Sequence, residues 1–183
     1  MNMTSKRIRP GIEVLLSEKL HLIRGQRIGL VCNQASVLPD LRHAADVFYE
    51  HPDIDLTTLF GPQHGIRGDL QDNMIETDHA VDPHTGLWIY SLYSETREPT
   101  EKMLADVDTI VFDLQDVGCR IYTFVYTMAN CMRAAKKFGK RVVVCDRPNP
   151  TGGVAVEGNV TETEFTSFVG QFEIPTRHGM TTG

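Results

Sequence analysis

The chain has 183 residues, 41% hydrophobic and 23% charged, with a formal net charge of −6 and a pI near 5.6. This describes an ordinary globular chain with one domain's worth of core and too few residues for two full domains. The acidic balance argues against affinity built on neutralising phosphates, although a local basic cleft is compatible with it, and nucleic acid is not an expected partner.

No apolar run approaches the ~20 residues of a membrane-spanning helix, and the basic residues within 1–10 are followed by no hydrophobic targeting segment. The four cysteines, Cys32, Cys119, Cys131 and Cys145, form no Cys-x-x-Cys pair. Reduced, buried thiols are therefore expected and structural zinc is not. The expected location is cytoplasmic, or periplasmic or secreted if the N-terminus is incomplete.

In chain order, residues 27–33 (RIGLVCN) read as a buried strand, and 41–50 as a helix after Pro39, with Asp40 as N-cap. Strands follow at 56–60 and 87–92, then a helix at 100–105 capped by Thr100. Residues 109–113 (TIVFD) form a nearly all-apolar strand ending in a carboxylate. The longest helical stretch is 122–138, closed by Gly139, and 141–146 is the last clear strand. Continuous apolar strands alternating with helices imply an α/β domain: an open, doubly wound, mainly parallel sheet covered on both faces.

Ligands in such folds bind outside the carboxyl ends of the strands. Three polar clusters lie just past predicted strand ends and should converge on one edge: 60–64 (FGPQH), 113–116 (DLQD) and 146–149 (DRPN). The first belongs to a loop in which Gly61, Gly65 and Gly68 surround His64, Arg67 and Asp69, as in a site where backbone approaches a ligand. The same residues also suit a tight turn. No strand is followed by G-x-G-x-x-G, and neither G-x-x-x-x-G-K-[ST] nor G-x-S-x-G occurs, so dinucleotide, P-loop and serine-elbow chemistry lack support. His43, His51, His79 and His84 have no paired spacing on a predicted helix and read as surface residues; no metal site is expected.

Five segments occur in a telling order: GPQHGIRG at 61–68, TGLWIYSLY at 85–93, FDLQDVGCRIYT at 112–123, DRPNP at 146–150 and RHGMT at 177–181. Together they resemble the exo-β-N-acetylmuramidases of the NamZ type, a family formerly called the domain of unknown function 1343, over nearly all of the chain from Gly11 onward. The resemblance implies a glycoside hydrolase that removes terminal N-acetylmuramic acid from the non-reducing end of peptidoglycan fragments. It implies a Rossmann-like N-terminal domain, then a smaller second domain, with the active site in the cleft between. Residues 1–10 are then an extension and 11–183 the Rossmann-like domain, with the second domain expected to be missing beyond Gly183. No cofactor is implied; the partner is a carbohydrate, either a muropeptide or a disaccharide fragment.

The resemblance also sets a problem. Many family members carry at position 63 a glutamate that is the favoured catalytic carboxylate, and an amide cannot be the general acid of glycoside hydrolysis. Proton transfer is then expected from Asp113 or Asp116, with Glu76 next; Glu76, like Asp69 and Asp72, also reads as a solvated loop residue. Each strand-end aspartate can equally hold a loop or cap a helix. His64 can share a proton with a carboxylate, or only satisfy its turn. Gln63 can orient an acetamido group, and the lactyl carboxylate of N-acetylmuramic acid suits an arginine fork, with Arg67 ahead of Arg120 and Arg147. Gln115, Tyr122, Asp146, Asn149 and His178 complete the substrate-binding set, while Phe124, Tyr126 and Met128 are expected in the core. A vestigial muropeptide-binding module and a sugar-modifying enzyme of another reaction type are the competing readings.

Overall fold

The computed structural model describes residues 7–68 and 78–183. Six strands form one sheet: β1 (Arg27–Cys32), β2 (Asp55–Gly61), β3 (Ala80–Val81), β4 (Trp88–Ser91), β5 (Thr109–Asp113) and β6 (Arg141–Val144). Their spatial order is β3-β4-β2-β1-β5-β6. Every pairing is parallel except that of β3 with β4. The doubly wound α/β fold expected from the apolar runs is therefore present.

The helices are α1 (Gly11–Glu18), α2 (Ala44–Glu50) and α3 (Phe124–Phe138). Side chains alternate between the two faces of β1 and β5, as the strand period requires. Ile28, Leu30, Cys32 and Val111 pack with Ile12, Leu15 and Phe48 on one face. Val31, Ile110 and Phe112 pack with Phe60, Leu104 and Ala134 on the other. A separate two-stranded antiparallel ribbon, β7 (Glu157–Val160) and β8 (Pro175–Arg177), follows the sheet. Among the described residues no helix is long and apolar enough to cross a membrane.

Several element boundaries differ from expectation for local reasons. Helix α2 starts at Ala44 because Leu41 sits in the left-handed region at φ 68° and Asp40 binds Arg42 through both oxygens. The actual cap is His43, whose Nδ1 accepts the Ala45 N–H at 3.2 Å while Nε2 stands 2.9 Å from the Asn33 carbonyl. His51 and His79 likewise accept backbone N–H groups through Nδ1, from Asp53 and Ser91. These three imidazoles organise local backbone rather than simply facing water.

The helix expected at 100–105 is a single 3-10 turn, Lys102–Leu104, although Thr100 Oγ1 does accept the Met103 N–H at 3.4 Å. Helix α3 begins at Phe124, which leaves Tyr122 outside it, and ends at Gly139 in the left-handed conformation (φ 65°). Strand β6 stops at Val144, so Asp146 belongs to the loop. Helix α1 and strands β3, β7 and β8 were not foreseen.

Candidate functional site at the carboxyl edge of the sheet

Parallel register places Val31 level with Phe60, Cys32 with Asp113, and Phe112 with Val144. The ends of β2, β5 and β6 therefore share one edge, as the polar clusters predicted. The chain passes from β1 toward β2 and β4 on one side and then to β5 and β6 on the other, so the switch-point crevice lies between the ends of β1 and β5.

That crevice is filled by protein. Arg147 places its guanidinium against Asp113 as a two-toothed fork, Nε to Oδ1 at 2.7 Å and Nη2 to Oδ2 at 2.9 Å. Arg147 Nη2 also donates to the Val37 carbonyl at 3.1 Å. Asp113 is 0% exposed, and burial holds its carboxyl above the usual range against the opposing pull of Arg147. The Ser36 hydroxyl donates to the Asp113 carbonyl, and Asn33 Oδ1 accepts the Ala35 N–H at 3.1 Å. Both Asp113 oxygens are thus engaged by one buried cation.

Asp116, three residues on, is in a different state. Its Oδ2 accepts the Gly118 N–H at 2.7 Å. His178 Nε2 stands 3.2 Å from the same oxygen, without the alignment of a hydrogen bond. Because His178 Nδ1 accepts the Met180 N–H at 3.2 Å, a neutral ring carries its proton on Nε2, beside the carboxylate. Asp116 is 3% exposed, yet its Oδ1 has no hydrogen-bond partner among the described residues. Tyr122 is 38% exposed and meets Phe124 edge-on at 4.7 Å. Its hydroxyl pKa is raised, first by burial and then by the charge of Asp116.

Amides and guanidinium groups tie the loops together. Gln115 Nε2 donates to the Asp116 carbonyl at 2.6 Å and to the Pro148 carbonyl at 2.9 Å, joining the loops after β5 and β6. Asn149 Nδ2 donates to the Met180 carbonyl at 2.9 Å, while its Oδ1 accepts from Thr151. Gly118 is required beneath this contact: φ is 73°, and a Cβ there would lie 2.4 Å from Asn149 Oδ1. Arg120 Nη1 donates to the Asn159 and Ile174 carbonyls at 2.6 and 2.9 Å, anchoring the β7–β8 ribbon. Asp146 Oδ1 accepts N–H groups of Arg147 and Gly183, each at 3.0 Å. Tyr126 lies in the core as expected, its hydroxyl donating to the Arg120 carbonyl at 2.6 Å.

In the loop after β2, Gln63 is half-buried. His64 lies in the left-handed region at φ 73°. Arg67 directs its fork inward, Nη1 and Nη2 to Asp46 at 2.9 and 2.6 Å, Nε and Nη2 to Asp82 at 3.1 and 2.9 Å. Asp46, Asp82 and Ser36 escaped sequence reasoning, and the exposed Gln34 over Gly68 did too. Glu76, Asp69 and Asp72 lie outside the described residues.

A groove of about 600 Å³ runs beside β6 rather than over Asp116, lined by Val14, Leu15, Val143, Asp146 and Asn149. A pocket of about 120 Å³ lies behind the loop after β2, bounded by Ile66, Arg67, Asp82 and Ile89. Among the described residues no group of three or more His, Cys, Asp or Glu side chains is placed to hold a metal ion.

Residues 28–183 match the family model described as "Exo-beta-N-acetylmuramidase NamZ, N-terminal". The chain is 49% identical over 184 aligned positions to the peptidoglycan beta-N-acetylmuramidase NamZ of Bacillus subtilis (strain 168), covering 100% of this chain and 44% of that protein. It also resembles crystal structures of two DUF1343 family proteins from Bacteroides fragilis NCTC 9343. One has a TM-score of 0.86 at 45% identity, covering 97% of this chain and 44% of the other. The second has a TM-score of 0.82 at 29% identity, covering 97% and 45%. The chain thus spans less than half the length of the relatives it matches.

Proposed function

Since the chain belongs to the family of the N-terminal part of the exo-β-N-acetylmuramidase NamZ, we propose that it contributes the sheet-edge wall of a glycosidase site that releases N-acetylmuramic acid from the non-reducing end of peptidoglycan fragments. The observation that carries this reading is the meeting of the loops after β2, β5 and β6 on one edge. In hydrolysis the glycosidic oxygen takes a proton, its bond to the anomeric carbon breaks, and water leaves its hydroxyl on that carbon.

In this reading Gln63, His64 and Tyr122 face the sugar, with Gln63 suited to the 2-acetamido group. Asp113, enclosed by Arg147, is frame rather than acid, because a proton donor must lie within reach of the substrate. Asp116 and Glu76 remain for proton transfer. Asp116 keeps an Oδ1 with no hydrogen-bond partner among the described residues, a lone pair open to a proton. Gln115, Arg120, Asp146 and Asn149 hold the loops, and His178 backs Asp116.

The test is release of nitrophenol from a β-N-acetylmuramic acid glycoside by the protein expressed from its full reading frame, with the N-acetylglucosamine glycoside as control. Turnover of the muramic substrate in clear preference is expected. No turnover of it, or preference for the control, would overturn the proposal.

A further inference from the structure

We propose that Arg67, Asp46 and Asp82 form a clamp that positions the Gln63–His64 turn, and that Arg67 does not receive the substrate's carboxylate. The inference rests on the glycosidase reading for what the turn does, and on geometry alone for the clamp itself. Arg67 is only 20% exposed at its side chain, and Asp82 is fully enclosed. One guanidinium makes four bonds of 2.6–3.1 Å to two carboxylates on different elements, α2 and the turn ahead of β4. Asp82 is itself held by the Thr85 N–H and hydroxyl at 3.1 and 2.8 Å.

This chemistry leaves the arginine fork occupied. Its pKa is raised, first through the hydrogen bonds with Asp46, and the Asp46 carboxyl is held below its ordinary range chiefly by Arg67. A bidentate pairing with a third carboxylate would have to displace one of the two already present.

The clamp also accounts for an unusual backbone. Ile66 is buried at 1% exposure, so residues 66 and 67 are both fixed to the body of the fold. Pro62 restricts the entry, and the Gly65 N–H closes on the Pro62 carbonyl at 3.3 Å. The chain between these points turns tightly enough to place His64 at φ 73°, a left-handed conformation that a residue with a Cβ adopts at a cost. Such strain persists only where surrounding structure over-determines it. Here the surrounding structure includes the Arg67 clamp, the buried Ile66 and the Pro62–Gly65 turn, and the strained residue carries an imidazole between Gln63 and Gly65, at the sheet edge.

Amide hydrogen exchange and glycoside kinetics test the proposal separately. Arg67→Ala should speed exchange across 62–68 by roughly tenfold or more, leaving β1 and β5 unchanged. His64→Gly should raise the folding constant roughly twofold to tenfold in the parent, after allowing for glycine's extra freedom when unfolded, and far less in the Arg67→Ala background. If Arg67→Ala fails to fold, Asp46→Asn, which retains the Asp82 half, should give a smaller rise in the same segment. Both variants should lower kcat alike on muramic and glucosamine glycosides. Unchanged exchange at 62–68 would overturn the clamp. A KM increase confined to the muramic glycoside would overturn the exclusion of Arg67 from carboxylate binding. If the parent hydrolyses neither glycoside, the glycosidase reading fails while the exchange result still decides the clamp.

Discussion

Replacing Arg147 by alanine would isolate the charge of Asp113. The fork at 2.7 and 2.9 Å disappears, with the bond to the Val37 carbonyl, and a carboxylate that is 0% exposed is left without a cation. Breaking a buried pair from one side typically costs about 3–5 kcal/mol. In a domain of this size each kcal/mol is worth about 2–4 °C, so the midpoint should fall by roughly 6–20 °C near neutral pH. Asp113 already has a folded pKa above its ordinary value because of burial, and Arg147 opposes that rise. Losing Arg147 raises it further. A carboxyl with a raised folded pKa gives its full stabilising contribution below the unfolded value of about 3.9, and loses it as pH climbs through the folded value. The loss in Arg147→Ala should therefore be largest near pH 7 and shrink as pH falls toward 4. Thermal and urea unfolding of both proteins, followed by circular dichroism at the two pH values, measures this. Asp113→Asn in the Arg147→Ala background should recover part of the loss near pH 7, since an amide leaves no buried charge. A loss below about 1 kcal/mol near pH 7, or an equal loss at both pH values, would refute the reasoning.

Gln63→Glu should leave hydrolysis of the muramic glycoside unchanged or slower, because the surrounding turn is intact and a new carboxylate would disturb any acid already working nearby. A gain approaching the ~10²–10⁴-fold of a positioned general acid would instead show that this branch had lost its acid at position 63. Iodoacetamide on the folded protein should modify Cys119 ahead of the others by mass spectrometry. Cys32, Cys131 and Cys145 are buried, and burial pushes the Cys131 thiol up to about 12 and those of Cys32 and Cys145 upward as well. Gly139→Ala should cost roughly 1 kcal/mol in urea unfolding through left-handed strain, since nothing lies within 4 Å of the added methyl.

The strands were legible where apolar residues run without interruption: 109–113 is observed as read, and the ends of β1, β2 and β4 differ by a residue or so. Helix starts were less so. Asp40 looks like a cap in sequence, but Arg42 two residues on takes its carboxylate, and a histidine does the capping instead. Strand β7 has no hidden face to generate a period, and β8 opens on a proline, so neither leaves a readable pattern. At the sheet edge the polar clusters were visible because each directly follows an apolar run. Their pairings were not: Asp113 finds Arg147 across 34 residues, and Arg67 finds Asp46 across 21 and Asp82 across 15. Only the folded chain shows that two arginines suited to a sugar acid are engaged internally.

The sheet also ends differently on its two sides. On one flank, among the described residues, the ladder ends on a two-residue antiparallel strand, β3, as short edge strands end sheets in proteins that avoid self-association. On the other, β6 pairs with β5 alone among the described residues, its side chains divided between the two faces: Val143 on one core cluster, Val142 and Val144 on the other. Self-association by strand addition, in concentrated solution or during refolding, is thereby channelled to one flank.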